Sequence, residues 1–530
     1  MNITLKHNKG FKWYKNDSLF FKGYFYINAI FYEKENAVNY LSSVRTTSDF
    51  KELLKNINGV FTLLFSDKNK VFIASDITRS FPIFYTFQNN KLFLSDDIFY
   101  LKDTFNLDTF DALSEIEFKA CNHTHGKKTL LTNVFQVQAS EYLIIKNDEI
   151  IESNFFYSYA IKKESSDPYT TLKKKAIDAF ENTIKRFINS LNNRTVVIPL
   201  SGGFDSRFIA VMLKKYNYKN VFCYTYGRKD SFEIENSKNT AEALNFKWIF
   251  IEYNSQIIDG FLETSAFKEY AHFAGKLSSM PNLQEYFAVN YLKENNLIAE
   301  DSIFIPGYAG DLLGGSQFLK VIPENLNHTD IADLIIEQKF TNYPLSASNK
   351  KIFKRQVKKQ LTHIDDNYVE KIPSSVFEDF DLKEKIAKYI FNSANFYTYF
   401  GFEHRFPFWD KELLDFFKKV PVKNKLMKTF FDAILINEYF KKYNVYFESE
   451  LQPSEKNINI QKVKNKIKPF LPTFIKQQFL EKNDWVNYKP LTDKMLKSLN
   501  LNKLKVEKSS KEYNEIITQW YLYFSKNKIK

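Results

Sequence analysis

Apolar positions along this chain follow two different periods, and the change falls near residue 160. Between residues 58 and 98, short apolar runs alternate with turn signals. Residues 60–65 (Val-Phe-Thr-Leu-Leu-Phe) lead into Ser-Asp-Lys-Asn-Lys; residues 71–74, 83–87 and 92–94 follow, the last two split by Gln-Asn-Asn. These predict antiparallel hairpins, and another joins 142–145 to 150–151. Residues 159–169 read as a linker. A helical pattern then runs over 171–191. It is followed by strand 195–200, helix 206–215, strand 221–226, helix 231–244 and strand 248–252, with 302–306 as a further buried strand. Asp230 and Glu233 predict a capping box for the second of these helices. Helices of that length between short apolar strands imply a parallel sheet covered on both faces. The chain after residue 330 is mainly helical. This divides it into a β-rich region 1–158, a region 170–455 built on the parallel sheet, and a lysine-rich segment 456–530 without an interpretable motif.

Composition narrows the class rather than the chemistry. A length of 530 residues implies two or more domains. Hydrophobic residues at 44% and charged residues at 26% are ordinary for a soluble globular protein. Two cysteines, Cys121 and Cys223, support neither a disulfide scaffold nor a cysteine zinc site. The first residues lack an apolar signal core and no stretch is apolar enough to span a bilayer, so a cytoplasmic protein without membrane contact is expected. The net charge of +13 is spread along the chain and thickens near residues 464–468, with no Arg-rich block or aromatic–basic repeat. Most of it reads as a lysine-rich solvated surface; the alternative is an anionic partner.

The chemistry concentrates in Ser201-Gly202-Gly203-Phe204-Asp205-Ser206, between the 195–200 strand and the next helix. Two glycines permit a tight turn, and the first helical N–H groups point at whatever sits there. Ser201 and Ser206 add hydroxyl donors. Asp205 would repel a bare phosphate, which implies Mg2+ between them. Such a cradle suits pyrophosphate, hence cleavage of ATP to AMP; the plainer alternative is a turn that only caps a helix. It is not a Walker loop, since no Gly-Lys-Ser/Thr follows. A second glycine-rich loop, 307–316 (Gly-Tyr-Ala-Gly-Asp-Leu-Leu-Gly-Gly-Ser), follows the 302–306 strand and brings Asp311. A third string, 403–410 (Glu-His-Arg-Phe-Pro-Phe-Trp-Asp), sets Glu403 and Arg405 among aromatic residues, where a held carboxylate would serve as a general base or order an amine.

The first string resembles the SGGxDS loop of the PP-loop ATP pyrophosphatase superfamily. The three strings, in this order, resemble the synthetase domain of asparagine synthetase and its relative β-lactam synthetase. Asn58-Gly59-Val60-Phe61, Asp76, Pro82, Tyr85 and residues 93–96 echo that family's glutaminase domain, so the resemblance covers roughly residues 50 to 450. It implies a mixed α/β and α+β fold: an Ntn-hydrolase-like αββα sandwich, then an adenine nucleotide α-hydrolase-like parallel-sheet domain with a helical C-terminal part. It also implies an AMP- and pyrophosphate-forming C–N ligase that adenylates a carboxylate and passes it to ammonia or an amine. ATP would lie against Leu200, Ser201, Gly202, Gly203, Asp205, Ser206, Gly307 and Gly310, its adenine near Tyr224 and Thr225. Mg2+ would sit on Asp205 and Asp311. Glu403 would assist the amine and Arg405 would position it.

Departures from the family set further expectations. Its active glutaminases place a catalytic cysteine after the initiator Met, where this chain has Asn2. An amide cannot act as that nucleophile, so no glutaminase activity is expected, and nitrogen would come from ammonia, a separate glutaminase or the substrate itself. The second loop is one residue short and has Leu312 in place of an acid. Lys456 is the nearest counterpart of the family's phosphate-binding lysine. The carboxylate is a small molecule, a sugar acid or a peptide, contacted from loops without a motif such as 278–286. Two other readings remain: a tRNA-modifying PP-loop enzyme, which would bind RNA, and an inactive scaffold. On the first reading nucleic acid is not a partner, and a homodimer is compatible with it.

Overall fold

Every hairpin read from the alternation forms in the computed structural model. It describes residues 2–67, 69–318, 326–447, 450, 481–499 and 513–526. Strand Asn58–Asp67 pairs antiparallel with Lys70–Ser75, Phe84–Gln88 with Lys91–Ser95, and Glu141–Lys146 with Glu149–Phe155. The pattern did not reveal Leu19–Ile27, which pairs with Asn58–Asp67 along eight positions. All but one of its nine residues are buried, so no polar alternation marks it.

These strands make two sheets, one of seven strands and one of four, the latter closed at its edge by Asn2–Thr4 running parallel to Lys91–Ser95. Leu64, Ile73 and Leu143 of the larger sheet interleave with Ile83, Tyr85 and Leu94 of the smaller. Helices Lys34–Leu41 and Thr47–Asn56 cover the outer face of the larger sheet through Leu41, Phe50 and Leu54, packed on Phe21, Phe25 and Phe72. Helix Ile98–Thr104 covers the smaller one, and Phe105 just beyond it meets Phe93. The layers therefore run helix, sheet, sheet, helix.

The linker region has no regular structure before helix Tyr169–Asn189, yet it is docked. Tyr159 N–H donates to Asp379 at 2.6 Å and Ile161 N–H to Ser375 Oγ at 3.0 Å. Beyond it lies a five-stranded, wholly parallel sheet in the order Lys247–Glu252, Val221–Gly227, Val196–Pro199, Ile303–Phe304, Glu403–His404. Val196, Val197 and Ile198 are fully buried, as expected of a strand covered on both faces. Helix Phe204–Lys215 is buried from Ser206 to Leu213, on every side, because it runs between this sheet and the later helices.

The second helix, Phe232–Leu244, is capped differently from the expected box. Ser231 is the N-cap and its side chain accepts from Glu233 N–H. The Glu233 carboxylate turns outward and accepts instead from Gly202 N–H. In the lysine-rich segment, helices Tyr488–Ser498 and Tyr513–Lys526 join the main core through Leu491, Met495, Ile517 and Tyr521. Residues 464–468 and Lys456 lie outside the described residues. Both cysteines are buried and unpaired. Among the described residues, no helix is long and apolar enough to cross a membrane.

Candidate active site

The 201–206 turn leaves the carboxyl end of the central Val196–Pro199 strand, the end where open parallel sheets hold their ligands. Its anchor is Thr225 on the neighbouring strand. Thr225 Oγ1 donates to the Leu200 carbonyl at 2.6 Å and accepts from Trp248 Nε1 at 3.0 Å. Within the turn, Ser201 N–H donates to Ser206 Oγ at 3.1 Å and Gly203 N–H to Ser201 Oγ at 3.2 Å. Behind it, Arg207 is fully buried between the rings of Phe440 and Phe447. Its guanidinium donates to the carbonyls of Gly202 (2.9 Å) and Val445 (2.8 Å) and to the Glu450 carboxylate. Drawing the Gly202 carbonyl backward leaves the amide face of the turn forward. Removing one partner of a buried ion pair costs about 3–5 kcal/mol, so Glu450→Ala is expected to lower the melting temperature, measured by differential scanning fluorimetry.

The second loop lies directly against the first. A Cβ on Gly310 would stand 2.7 Å from Asp205 Cγ, and one on Gly307 would stand 2.8 Å from Ser206 N. Only glycines allow this approach. Ala309 between them takes a left-handed φ of 58°, a strain that the packing holds in place. Asp205 Oδ2 accepts from Asp311 N–H at 2.9 Å, whereas Asp205 Oδ1 is buried and has no partner among the described residues. Burial, then the negative charge of Asp311, push the Asp205 carboxyl up to about 8 against the pull of Lys428. A buried, unsatisfied carboxylate oxygen beside a second acid is a hard-oxygen set that suits a divalent cation. Asp205 and Asp311 therefore fit Mg2+ in spite of the shortened loop.

Lys428 is a residue that sequence reasoning missed. It follows Met427 in a turn where both take left-handed φ, 56° and 61°, just ahead of helix Thr429–Ile434. Its ammonium lies 3.4 Å from Asp432 and 5.4 Å from the Phe204 ring centroid, close enough to Asp205 to lower its pKa. Lysines are so frequent here that position alone gave no signal. Met427 and Leu426 beside it are exposed.

Tyr224 and Thr225 sit on the strand next to the turn, but both are buried and engaged. Tyr224 OH bonds the Glu285 carboxylate, so neither side chain is free to meet a nucleotide base. At the carboxyl end of that strand, Gly227 runs under Trp485: a Cβ there would lie 2.3 Å from the Trp485 carbonyl. The segment that offered no motif thus covers the rim of the cleft.

Glu285, in the 278–286 loop, is fully buried and accepts from Tyr224, Tyr397 (2.6 Å) and Tyr308. Burial pushes its carboxyl up to about 7, and the phenols oppose that. Tyr308 directly follows Gly307 in the second loop, and its buried phenol places this acid one side chain behind that loop.

Glu403 and Arg405 are not brought to the turn. Glu403 is level with Ile303, and Ile303 with Val196, at the start of the central strand rather than its end. Glu403 Oε2 is held by Arg194 and Arg405, each at 3.0 Å. Burial raises its pKa, but Arg405 and Arg194 outweigh that and hold it below the ordinary value. Arg405 also reaches Glu33 at 3.2 Å and stacks 4.2 Å over Tyr24. The pair joins the parallel sheet to the N-terminal sheets, and Glu403 borders a cavity of about 200 Å³ with Glu33 and Tyr14. Elsewhere, His123, His125 and Glu384 place buried ligand atoms within 4.8 Å of one another. Lys388 already supplies the positive charge there, 2.8 Å from Glu384 and 2.7 Å from the Gly126 carbonyl, so the cluster is an internal ion network.

No family model matches the chain. It is 25% identical over 175 residues to the microcin J25-processing protein McjC of Escherichia coli, a match covering 32% of this chain and 31% of that protein. Similar solved structures are the NH3-dependent NAD synthetase of Campylobacter jejuni (16% identity, 42% of this chain and 97% of that one, TM-score 0.21). The NMN synthetase of Francisella tularensis is another (15% identity, 39% and 76%, TM-score 0.17). Scores this low carry no argument about function.

Proposed function

We propose that the chain is a PP-loop enzyme of the asparagine synthetase type. It uses ATP to adenylate a carboxylate, releases pyrophosphate, and transfers the acyl group to ammonia or an amine. The observation that carries this reading is the pairing of the 201–206 turn with the 307–315 loop around the unsatisfied carboxylate of Asp205, at the carboxyl end of a parallel sheet. Turn amides and the Ser201 and Ser206 hydroxyls hold the leaving pyrophosphate, and Lys428 faces it with a positive charge. The Ser201 and Ser206 hydroxyls are held by bonds within the turn, whereas the Gly202 N–H must first release Glu233. When bound on Asp205 and Asp311, Mg2+ supplies further charge compensation for the phosphates.

The amine must lose a proton as it attacks the acyl group. We assign this proton to Glu285 rather than Glu403: its pKa lies near neutrality, and it accepts from the phenol of Tyr308 beside Gly307 of the second loop. AMP then leaves. The N-terminal layers support a degenerate Ntn-type domain, and with Asn2 the chain is proposed to lack glutaminase activity. The relative is named for processing microcin J25, so a microcin belongs among the first carboxylates to test, beside aspartate and a sugar acid. A screen of carboxylates with ATP, Mg2+ and ammonia should show pyrophosphate and AMP in equal amounts for the correct acid. Formation of ADP, or no turnover with any acid or amine, would count against the reading.

A further inference from the structure

Helix Ala347–Ile364 carries Lys350, Lys351, Lys354, Arg355, Lys358 and Lys359 and no acidic residue. Its apolar stripe, Phe353, Val357 and Leu361, is buried in one cluster with Ile331, Ile335 and Phe377, which fixes the opposite face outward. Lys354 pairs with Asp333. Lys350, Lys351, Arg355, Lys358 and Lys359 are exposed and form no ion pair among the described residues. Lys351, Arg355, Lys358 and Lys359 fall at helical spacing on one face. Like charges four residues apart destabilise a helix, and nothing within the described structure offsets that repulsion here.

The surroundings of this stripe select the kind of anion that fits it. Exposed Asp330 and Glu337 border it on the preceding helix and loop, and Asp366 and Glu370 follow its C-terminal end. A flat anionic bilayer would press on those acids too, and the helix has no exposed large apolar side chain to insert. Duplex RNA is also wide, and the stripe offers three lysines to one arginine and no exposed aromatic residue for a base. From residue 351 to 359 the stripe is about 12 Å long at 1.5 Å per residue, the reach of about four extended residues. A narrow, short anion fits.

We propose that this face docks an acidic segment of a second polypeptide, its Asp or Glu side chains laid along Lys351, Arg355, Lys358 and Lys359. The proposal is independent of the nucleotide chemistry.

Fluorescein-labelled hexaglutamate, titrated by anisotropy at about 50 mM salt, where surface charge is weakly screened, tests it on the full chain. Replacing Lys351, Arg355, Lys358 and Lys359 together by Gln should weaken binding about tenfold or more. Replacing exposed Lys15, Lys185, Lys219 and Lys247 by Gln should leave it within about twofold. The positions are exposed, so both variants should keep the wild-type melting transition, and the first should melt at the same temperature or higher as the repulsion is removed. Equal weakening by both sets would show charge without a site and overturn the proposal. So would an absence of hexaglutamate binding to the wild type, or tighter capture of an RNA duplex or of phosphatidylserine vesicles by the same four residues.

Discussion

Asp205→Asn is expected to abolish ATP-dependent pyrophosphate release while leaving the fold intact. The carboxylate is buried, one oxygen has no partner among the described residues, and the amide keeps a similar shape. Removing one charge-stabilising group from such a site costs about 100- to 1,000-fold in turnover, and the loss here should reach the upper end because Asp311 alone cannot complete the cation's ligands. The same residue sets a pH dependence. Its folded pKa, about 8, lies above the usual 3.8 of an aspartate, so folding favours the protonated acid. That contribution is whole below about pH 4 and disappears as pH rises through 8. On the proposed reading a cation and a proton compete for one oxygen. Stabilisation of the wild type by Mg2+ should grow from pH 6 to pH 9 in thermal melts, and Asp205→Asn should show no growth. Full pyrophosphate release by the variant would remove Asp205 from the mechanism.

Glu285→Gln should slow amide formation about 100- to 10,000-fold, the usual contribution of a positioned base. ATP consumption in the first half-reaction should persist, so acyl-adenylate should accumulate in a rapid-quench experiment. The wild-type rate should rise as pH passes about 7, where Glu285 loses its proton, and the variant should lack that rise. Tyr308→Phe, which removes only the hydroxyl and keeps the ring, gives a second measurement where repacking of the buried acid complicates the first. Normal amide formation by both variants would rule out this proton path. Gly310→Ala should be as damaging as Asp205→Asn, because its methyl would stand 2.7 Å from the Asp205 carboxyl carbon; nucleotide binding measured by calorimetry should fall below detection.

The turn and its sheet were legible in the sequence because their signals are local. An apolar run, two glycines, a hydroxyl and an acid within ten residues specify a strand, a bend and a helix start. The hairpins were legible for the same reason, and Leu19–Ile27 escaped because complete burial erases alternation. Residues that work through distant partners were not readable. Glu285 meets Tyr224 and Tyr397 across 61 and 112 positions, and nothing around it in sequence marks it. Glu403 has the opposite history: its string is distinctive, but spacing along a chain does not say at which end of a two-residue strand the carboxylate will stand. Two guanidiniums fix it there as a strut. Lys428 was hidden among many lysines and needed the packing of Phe204 and Asp432 to single it out.

The bond from Gly202 N–H to Glu233 bears on how a ligand would reach the turn. On the proposed reading, the resting turn already carries an internal anion where the nucleotide's own should come to lie. Loading is then a swap, and its free energy is the difference between two negative groups competing for one amide. Trimming that side chain to Ala would leave the amide vacant and make the protein grip free pyrophosphate more tightly, slowing product departure even as capture improves.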